Sequence, residues 1–72
     1  MVSESERKLI FDYCMHLFED PNLCDAFVET VCKQIENGLL TLSDFADNAL
    51  ARKDLSEPLR KRLLEMKSGS PL

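Results

Sequence analysis

The sequence predicts an all-α protein, a small bundle of four short helices over residues 1–67 with a flexible tail at 68–72. Apolar residues recur every three or four positions through most of the chain, which is the period of an α-helix. No segment alternates apolar and polar residues as a β-strand does. Each periodic segment is bounded by residues that begin or end helices, and 72 residues allow one domain.

The first predicted helix covers residues 4–18. A serine followed three residues later by a glutamate forms a capping box that begins at Ser3. Apolar side chains cover about two-thirds of this helix, more than a peripheral helix of a small bundle can bury. We therefore expect part of its apolar surface, at Phe11, Met15 and Phe18, to contact something outside the domain.

The second predicted helix, residues 21–37, is expected to lie at the centre of the bundle. Asp20 can cap its first turn, and Pro21 is tolerated there because the first backbone N–H groups of a helix have no partner within it. Two rows of apolar residues cover half of its circumference. Gly38 can adopt the left-handed conformation that ends helices.

Two shorter helices are predicted at residues 42–52 and 56–67. Thr41 and Ser56 are the expected N-caps, and Pro58 is compatible with the first turn of the last helix. The predicted hydrophobic core takes residues from all four helices: Leu9, Tyr13, Leu17, Leu23, Phe27, Val31, Ile35, Phe45, Leu50, Leu59 and Leu63.

Charge is divided unevenly along the chain, although the formal net charge is only −4. Residues 1–50 carry ten acidic and three basic side chains, whereas residues 51–72 carry three acidic and six basic ones. This division could orient a second copy head to tail or present two differently charged faces to a partner. It is equally compatible with an ordinary solvated surface.

The three cysteines and the single histidine do not form a recognisable metal or catalytic motif. Cys14, Cys24 and Cys32 are separated by ten and eight residues, whereas structural zinc sites use cysteines two to four residues apart. His16 and Cys14 point to different sides of one helix, so they cannot form a nucleophilic pair. We therefore expect no metal, no cofactor, no small-molecule substrate and no enzymatic activity.

The expected location is intracellular, either cytoplasmic or nuclear. The segment 1–7 is polar and acidic, unlike a secretory signal peptide, and an odd number of cysteines does not suit a secreted disulfide scaffold. No apolar run is long enough to span a membrane, so no membrane association is expected.

An alternative interpretation is a nucleic-acid-binding or transcription-regulatory protein. Residues 41–66 could form a helix, a short turn and a second helix, as in a helix-turn-helix motif. Arg60, Lys61 and Arg62 lie together on the last helix and could contact phosphates. The acidic net charge and the absence of aromatic residues among these cations argue against it.

The second half of the chain resembles the small MOZART-type adaptor subunits of γ-tubulin complexes. The resemblance covers Asn37-Gly38-Leu39, which matches the end of a helix in that family, and the sequences DLSEPL at 54–59 and LLEMK at 63–67. The chain departs from the family at residues 51–54, where ARKD replaces a Cys-Glu-x-Gly helix ending. The resemblance implies a non-catalytic adaptor that folds together with a segment of a larger subunit.

Together these observations predict a non-catalytic helical protein–protein interaction module. It would act as a small adaptor subunit or a self-associating domain, with a protein partner or a second copy of itself. The expected interface residues are Phe11, Met15, Phe18, Arg60, Lys61 and Arg62.

Overall fold

A computed structural model of the chain describes residues 2–68. Within this part of the chain the structure is all-α and has no β-strand. Its four helices are α1 (Glu4–Phe18), α2 (Pro21–Glu36), α3 (Leu42–Leu50) and α4 (Glu57–Lys67). The predicted four-helix bundle is therefore confirmed, with each helix end within two residues of its expected position. Most of the predicted tail, residues 69–72, lies outside the described residues.

Side-chain caps determine where the first two helices begin. The Ser3 hydroxyl accepts a hydrogen bond from the Glu6 N–H at 3.2 Å, and the Glu6 carboxylate accepts one from the Ser3 N–H at 2.8 Å. This is the predicted capping box. At α2, Asp20 Oδ1 accepts hydrogen bonds from the N–H groups of Asn22 and Leu23 at 3.0 and 3.3 Å. Each cap satisfies backbone donors that have no partner within the helix.

Backbone geometry ends α2 as the sequence predicts. Gly38 has a φ angle of 76°, in the left-handed region that costs glycine little. This turn allows the Leu39 N–H to donate to the Gln34 carbonyl at 2.9 Å, a bond typical of helix C-caps.

The N-caps of the last two helices differ from one another. Thr41 Oγ1 accepts a hydrogen bond from the Asp44 N–H at 3.0 Å, as predicted. Ser56 occupies the N-cap position of α4, but its side chain makes no capping hydrogen bond. Pro58, at the second position of α4, has no N–H, so the N–H of Leu59 at the third position is the remaining donor that a cap could bind.

The helices form two hairpins, α1–α2 and α3–α4, and α1 also packs against α4. The expectation that the second helix is central is therefore wrong, because α1 has extensive contacts on two sides. Aromatic rings add contacts between the hairpins: Tyr13 meets Phe45 edge-on with ring centroids 5.5 Å apart, and Phe27 lies 6.3 Å from Phe45. The wide apolar arc of α1 is explained in large part by its two helical neighbours.

Most of the predicted core is in the interior. Six of the expected residues are buried: Leu9, Tyr13, Val31, Phe45, Leu59 and Leu63. Four more are partly buried and pack against these: Leu17, Phe27, Ile35 and Leu50. The core also includes eight buried residues outside that set, most of them on the predicted apolar faces of the helices: Val2, Ile10, Val28, Cys32, Ala46, Ala49, Leu55 and Met66.

Leu23 is the one core residue that was predicted wrongly, since 46% of it is exposed. Helix α2 is rotated so that Cys24, Val28 and Cys32 are buried instead of the full row that begins at Leu23. Cysteine and valine are small enough to let α2 lie close to α1, and a leucine on that side would hold the helices further apart.

This burial pattern predicts that two leucines, Leu63 and Leu23, contribute very differently to the free energy of unfolding. Leu63→Ala should lower the free energy of unfolding by about 2–5 kcal/mol, because Leu63 is fully buried and its loss leaves a cavity. The matched control Leu23→Ala should change it by less than about 1 kcal/mol. Urea unfolding followed by circular dichroism measures both, and equal losses would contradict the described packing.

Candidate interaction surface

Three large apolar residues form one line along the outer side of α1. Phe11, Met15 and Phe18 are spaced at i, i+4 and i+7, so they share a face of the helix. Phe11 and Met15 are half-buried, and Phe18 is 55% exposed. We refer to these three residues as the α1 stripe. The structure thus places the three predicted apolar interface residues together.

A shallow groove of about 300 Å³ lies on the side of the stripe that faces α2. Phe11 and Val28 supply its apolar surface. Its charged lining is divided, with basic residues on α1 and acidic residues on α2: Arg7, Lys8, Asp25 and Glu29. An ion pair between Arg7 and Glu29 joins the two helices at this groove.

A second groove, of about 370 Å³, lies on the side of the stripe that faces α4. Met15, Pro58 and Leu59 are its apolar residues. The ion pair between Arg62 and Asp12, at 2.8 Å, lies in the same groove and joins α4 to α1. The α1 stripe is therefore an apolar row, or ridge, of side chains between two grooves, with Phe11 lining the first groove and Met15 the second.

The apolar surface of the stripe is less exposed than the sequence predicts. Phe11 was counted as excess apolar surface, but it packs partly against the core because α1 lies between two helices. Met15 is also only partly exposed. Phe18 is therefore the most exposed residue of the stripe, and it lies at the end of α1 beside the α1–α2 connection.

The three predicted basic interface residues do not form one free cationic cluster. Arg62 pairs with Asp12, and the Arg60 guanidinium donates a hydrogen bond to the Arg52 carbonyl at 3.2 Å. Lys61 is exposed. The cations of α4 thus point to different parts of the molecule, and one of them is paired with the acidic first half of the chain.

A second ion pair also joins a basic residue of the last helix to an acidic residue of the first 50 residues. Lys67 on α4 pairs with Asp47 on α3 at 2.7 Å. The uneven charge of the sequence is thus used in part within the molecule, to join α4 to both α1 and α3. Less of it is available to orient a partner than the sequence alone suggests.

His16 is exposed at the surface and connects α1 to the α3–α4 loop. Its Nε2 lies 2.8 Å from the Asp54 backbone carbonyl, so Nε2 carries the proton and donates. Arg52 holds the side chain of Asp54 through two contacts of 3.2 Å, and this hydrogen bonding lowers the pKa of that carboxyl.

The three thiols are all buried, and burial raises the pKa of two of them, Cys14 and Cys32. Cys14 and Cys24 are fully buried, and Cys32 is 3% exposed. Burial, followed by a hydrogen bond to Cys24, raises the pKa of Cys14 to about 12. Burial likewise raises the pKa of Cys32. A thiol with a raised pKa stays protonated at neutral pH and is a poor nucleophile or metal ligand.

Some residues of the candidate surface were not identified from the sequence. Val28, Pro58 and Leu59 line the two grooves, but their spacing indicates only the buried side or the first turn of a helix. They meet the α1 stripe only after the helices pack. Leu39 and Leu64 are further exposed apolar residues, at 77% and 51%, and both lie outside the stripe.

Within residues 2–68, no three or more histidine, cysteine or acidic side chains are grouped so as to hold a metal ion. No helix in the same part of the chain has the length and apolar character needed to cross a membrane. Comparison with known proteins gives no match to a family model, a curated protein or a solved structure.

Proposed function

We propose that this protein is a non-catalytic helical interaction module that binds another protein through the α1 stripe. It would serve as a small adaptor subunit or a self-associating domain of a larger complex in the cytoplasm or nucleus. The observation that carries this proposal is the α1 stripe, in which Phe18 is exposed and Phe11 and Met15 are half-buried, with a partly apolar groove on each side.

The chemistry of the stripe suits a protein partner. Phenylalanine and methionine are enriched at the centres of protein interfaces, and the flexible methionine side chain adapts to irregular partner surfaces. Each apolar Å² that a partner covers would contribute about 25 cal/mol, before the cost of association. This contribution matters to a short chain, because a small domain has a thin margin of stability.

The shape of the surface favours an amphipathic helix as the bound element. A ridge with a groove on each side is the geometry that a neighbouring helix fills when side-chain ridges pack into grooves. At the groove between α1 and α2, Lys8 on one wall and Asp25 on the other would favour one direction of the bound helix.

The resemblance of residues 37–67 to MOZART-type subunits adds a class of partner to this proposal. It suggests a helical segment of a larger subunit, as in γ-tubulin complexes. A second copy of this chain would use the same stripe. These two partners differ in a simple observable, since only self-association depends on the concentration of the pure protein.

The proposal predicts that charge on the stripe weakens association. Phe18→Glu and Met15→Glu should each lower affinity for the partner, or for a second copy, by at least about tenfold, because a carboxylate would be desolvated at the centre of the interface. Leu64→Glu is the matched control, since Leu64 is similarly exposed but lies on α4. Sedimentation velocity over a concentration series measures self-association, and affinity purification from the native cell measures partner binding.

A strictly monomeric protein without a co-purifying chain would contradict the proposal, provided that both glutamate variants also leave folding and behaviour unchanged. Equal effects of the stripe variants and of Leu64→Glu would also contradict it, because they would indicate a general response to added charge.

The nucleic-acid alternative makes a different prediction. Because Arg60 and Arg62 are engaged within the molecule, we expect no gel shift with DNA or RNA at physiological salt. The test variant Arg60→Gln/Lys61→Glu leaves the Arg62–Asp12 pair intact. A shift that falls steeply with salt and is lost in this variant, but not in the control Lys53→Glu, would instead support nucleic-acid binding.

The absence of catalysis that we propose predicts unreactive thiols. In the folded protein, alkylation of all three cysteines should be on the order of a hundredfold slower than in urea, because the thiols are buried. Mass spectrometry after timed quenching measures each rate. One cysteine that reacts in the folded protein as fast as in urea would indicate an activated thiolate and reopen the enzyme hypothesis.

A further inference from the structure

The α1 stripe has opposite charges at its two ends. At its N-terminal end, Lys8 is three residues before Phe11 and seven before Met15, so it lies on the same side of the helix. At its C-terminal end, the Glu19 N–H donates to the Met15 carbonyl at 3.0 Å, which places Glu19 one turn after Met15. Lys8 and Glu19 are both exposed. The stripe is thus an apolar row with a cation at one end and an anion at the other.

Neither of these end charges is strongly engaged within the molecule. Among the described residues, the Glu19 carboxylate takes part in no ion pair. The Lys8 ammonium lies 3.6 Å from Asp12 Oδ2, but Arg62 binds the same oxygen at 2.8 Å. The side chain of Lys8 is 71% exposed, so its contact with Asp12 contributes little. Both end charges are therefore available to a partner.

We propose that the partner of the α1 stripe is a second copy of this chain, with the two α1 helices antiparallel about a two-fold axis. This inference rests on the proposed function and names the partner of the same surface. A two-fold interface uses one patch twice, so the patch must be complementary to itself. A stripe with opposite charges at its ends meets this requirement, because turning the second copy end to end brings each charge to its opposite.

The spacing of the stripe determines which residues meet. With Phe11 of one copy opposite Met15 of the other, three residues further along, Lys8 lies opposite Phe18 of the second copy and beside its Glu19. The two-fold axis repeats this contact at the other end. The apolar residues then form the centre of the interface and two lysine–glutamate pairs form its rim, as in other specific interfaces.

A parallel pairing of the two α1 helices would be disfavoured. It would bring Lys8 of one copy to Lys8 of the other, and Glu19 to Glu19, so that like charges would meet at both ends of the stripe. The distribution of charge along α1 thus selects the antiparallel arrangement.

The area that such a dimer needs is modest. A small specific interface buries about 1,000 Å² in total, or about 500 Å² per copy. This is about a tenth of the 4740 Å² accessible surface of the chain. The 15 residues of α1 extend over about 22 Å, and the grooves on each side of the stripe widen the surface that a second copy can cover.

A zero-length cross-link tests both the partner and its orientation. Within one chain Lys8 and Glu19 are eleven residues apart along α1, about 16 Å, so a carbodiimide cannot join them directly. We expect an amide bond between Lys8 and Glu19 in the dimer fraction of the cross-linked full chain. Mass spectrometry of a mixture of isotope-labelled and unlabelled chains should show that this bond joins two copies.

Charge reversal tests the same contact in solution. Lys8→Glu and Glu19→Lys should each weaken the dimer by about tenfold, because each creates like-charge contacts at both ends of the interface. The double variant Lys8→Glu/Glu19→Lys should restore the dissociation constant to within about threefold, because the charges are again opposite. The control Lys33→Glu reverses an exposed lysine of α2 outside the stripe and should have no effect. Sedimentation equilibrium from about 10 μM to 1 mM measures the dissociation constants, and circular dichroism checks folding.

Two results would overturn the inference. One is a monomer at every concentration; if Phe18→Glu then still weakened the binding of a different chain, the proposed function would stand with another partner, and without such a chain both would fall. The other is a dimer that gives no link between Lys8 and Glu19 and is not restored by the double variant.

Discussion

The burial of α1 between α2 and α4 is the constraint on which the rest of this structure depends. Leu9, Ile10 and Cys14 on α1 are completely buried, and Tyr13 adds an aromatic contact with Phe45 of the second hairpin. Two helices alone cannot bury enough apolar surface to offset the entropy of ordering them. Because α1 contacts its hairpin partner α2 and also α4, it joins two marginal helix pairs into one core.

The same packing determines which surface remains for a partner. A helix with neighbours on two sides still has an outer side in contact with solvent, and the α1 stripe occupies it. The candidate interface and the core are therefore different sides of one helix. This arrangement explains why α1 carries more apolar residues than a peripheral helix of a small bundle can bury. Some of these apolar residues pack in the core, and those around Phe18 remain at the surface.

Electrostatics has a secondary role in this arrangement. The pairs Arg62–Asp12 and Lys67–Asp47 join α4 to α1 and to α3, but about a third to a half of each side chain involved is exposed. Such pairs contribute about 0–1 kcal/mol each, much less than a buried leucine. They favour one arrangement of helices that apolar contacts already hold together, and they leave fewer α4 cations for phosphates.

The sequence by itself determined the local structure of this protein. Helix positions were predicted to within two residues, because apolar periodicity and caps such as Ser3 and Asp20 are read from neighbouring residues. Only the tertiary structure decided the rotation of α2, which leaves Leu23 exposed and Cys24 buried. The tertiary structure also decided which of the four helices is central. It also decided that Met15 borders a groove with α4. These features depend on residues far apart in the chain, and helical periodicity gives the width of an apolar face without saying which neighbour covers it.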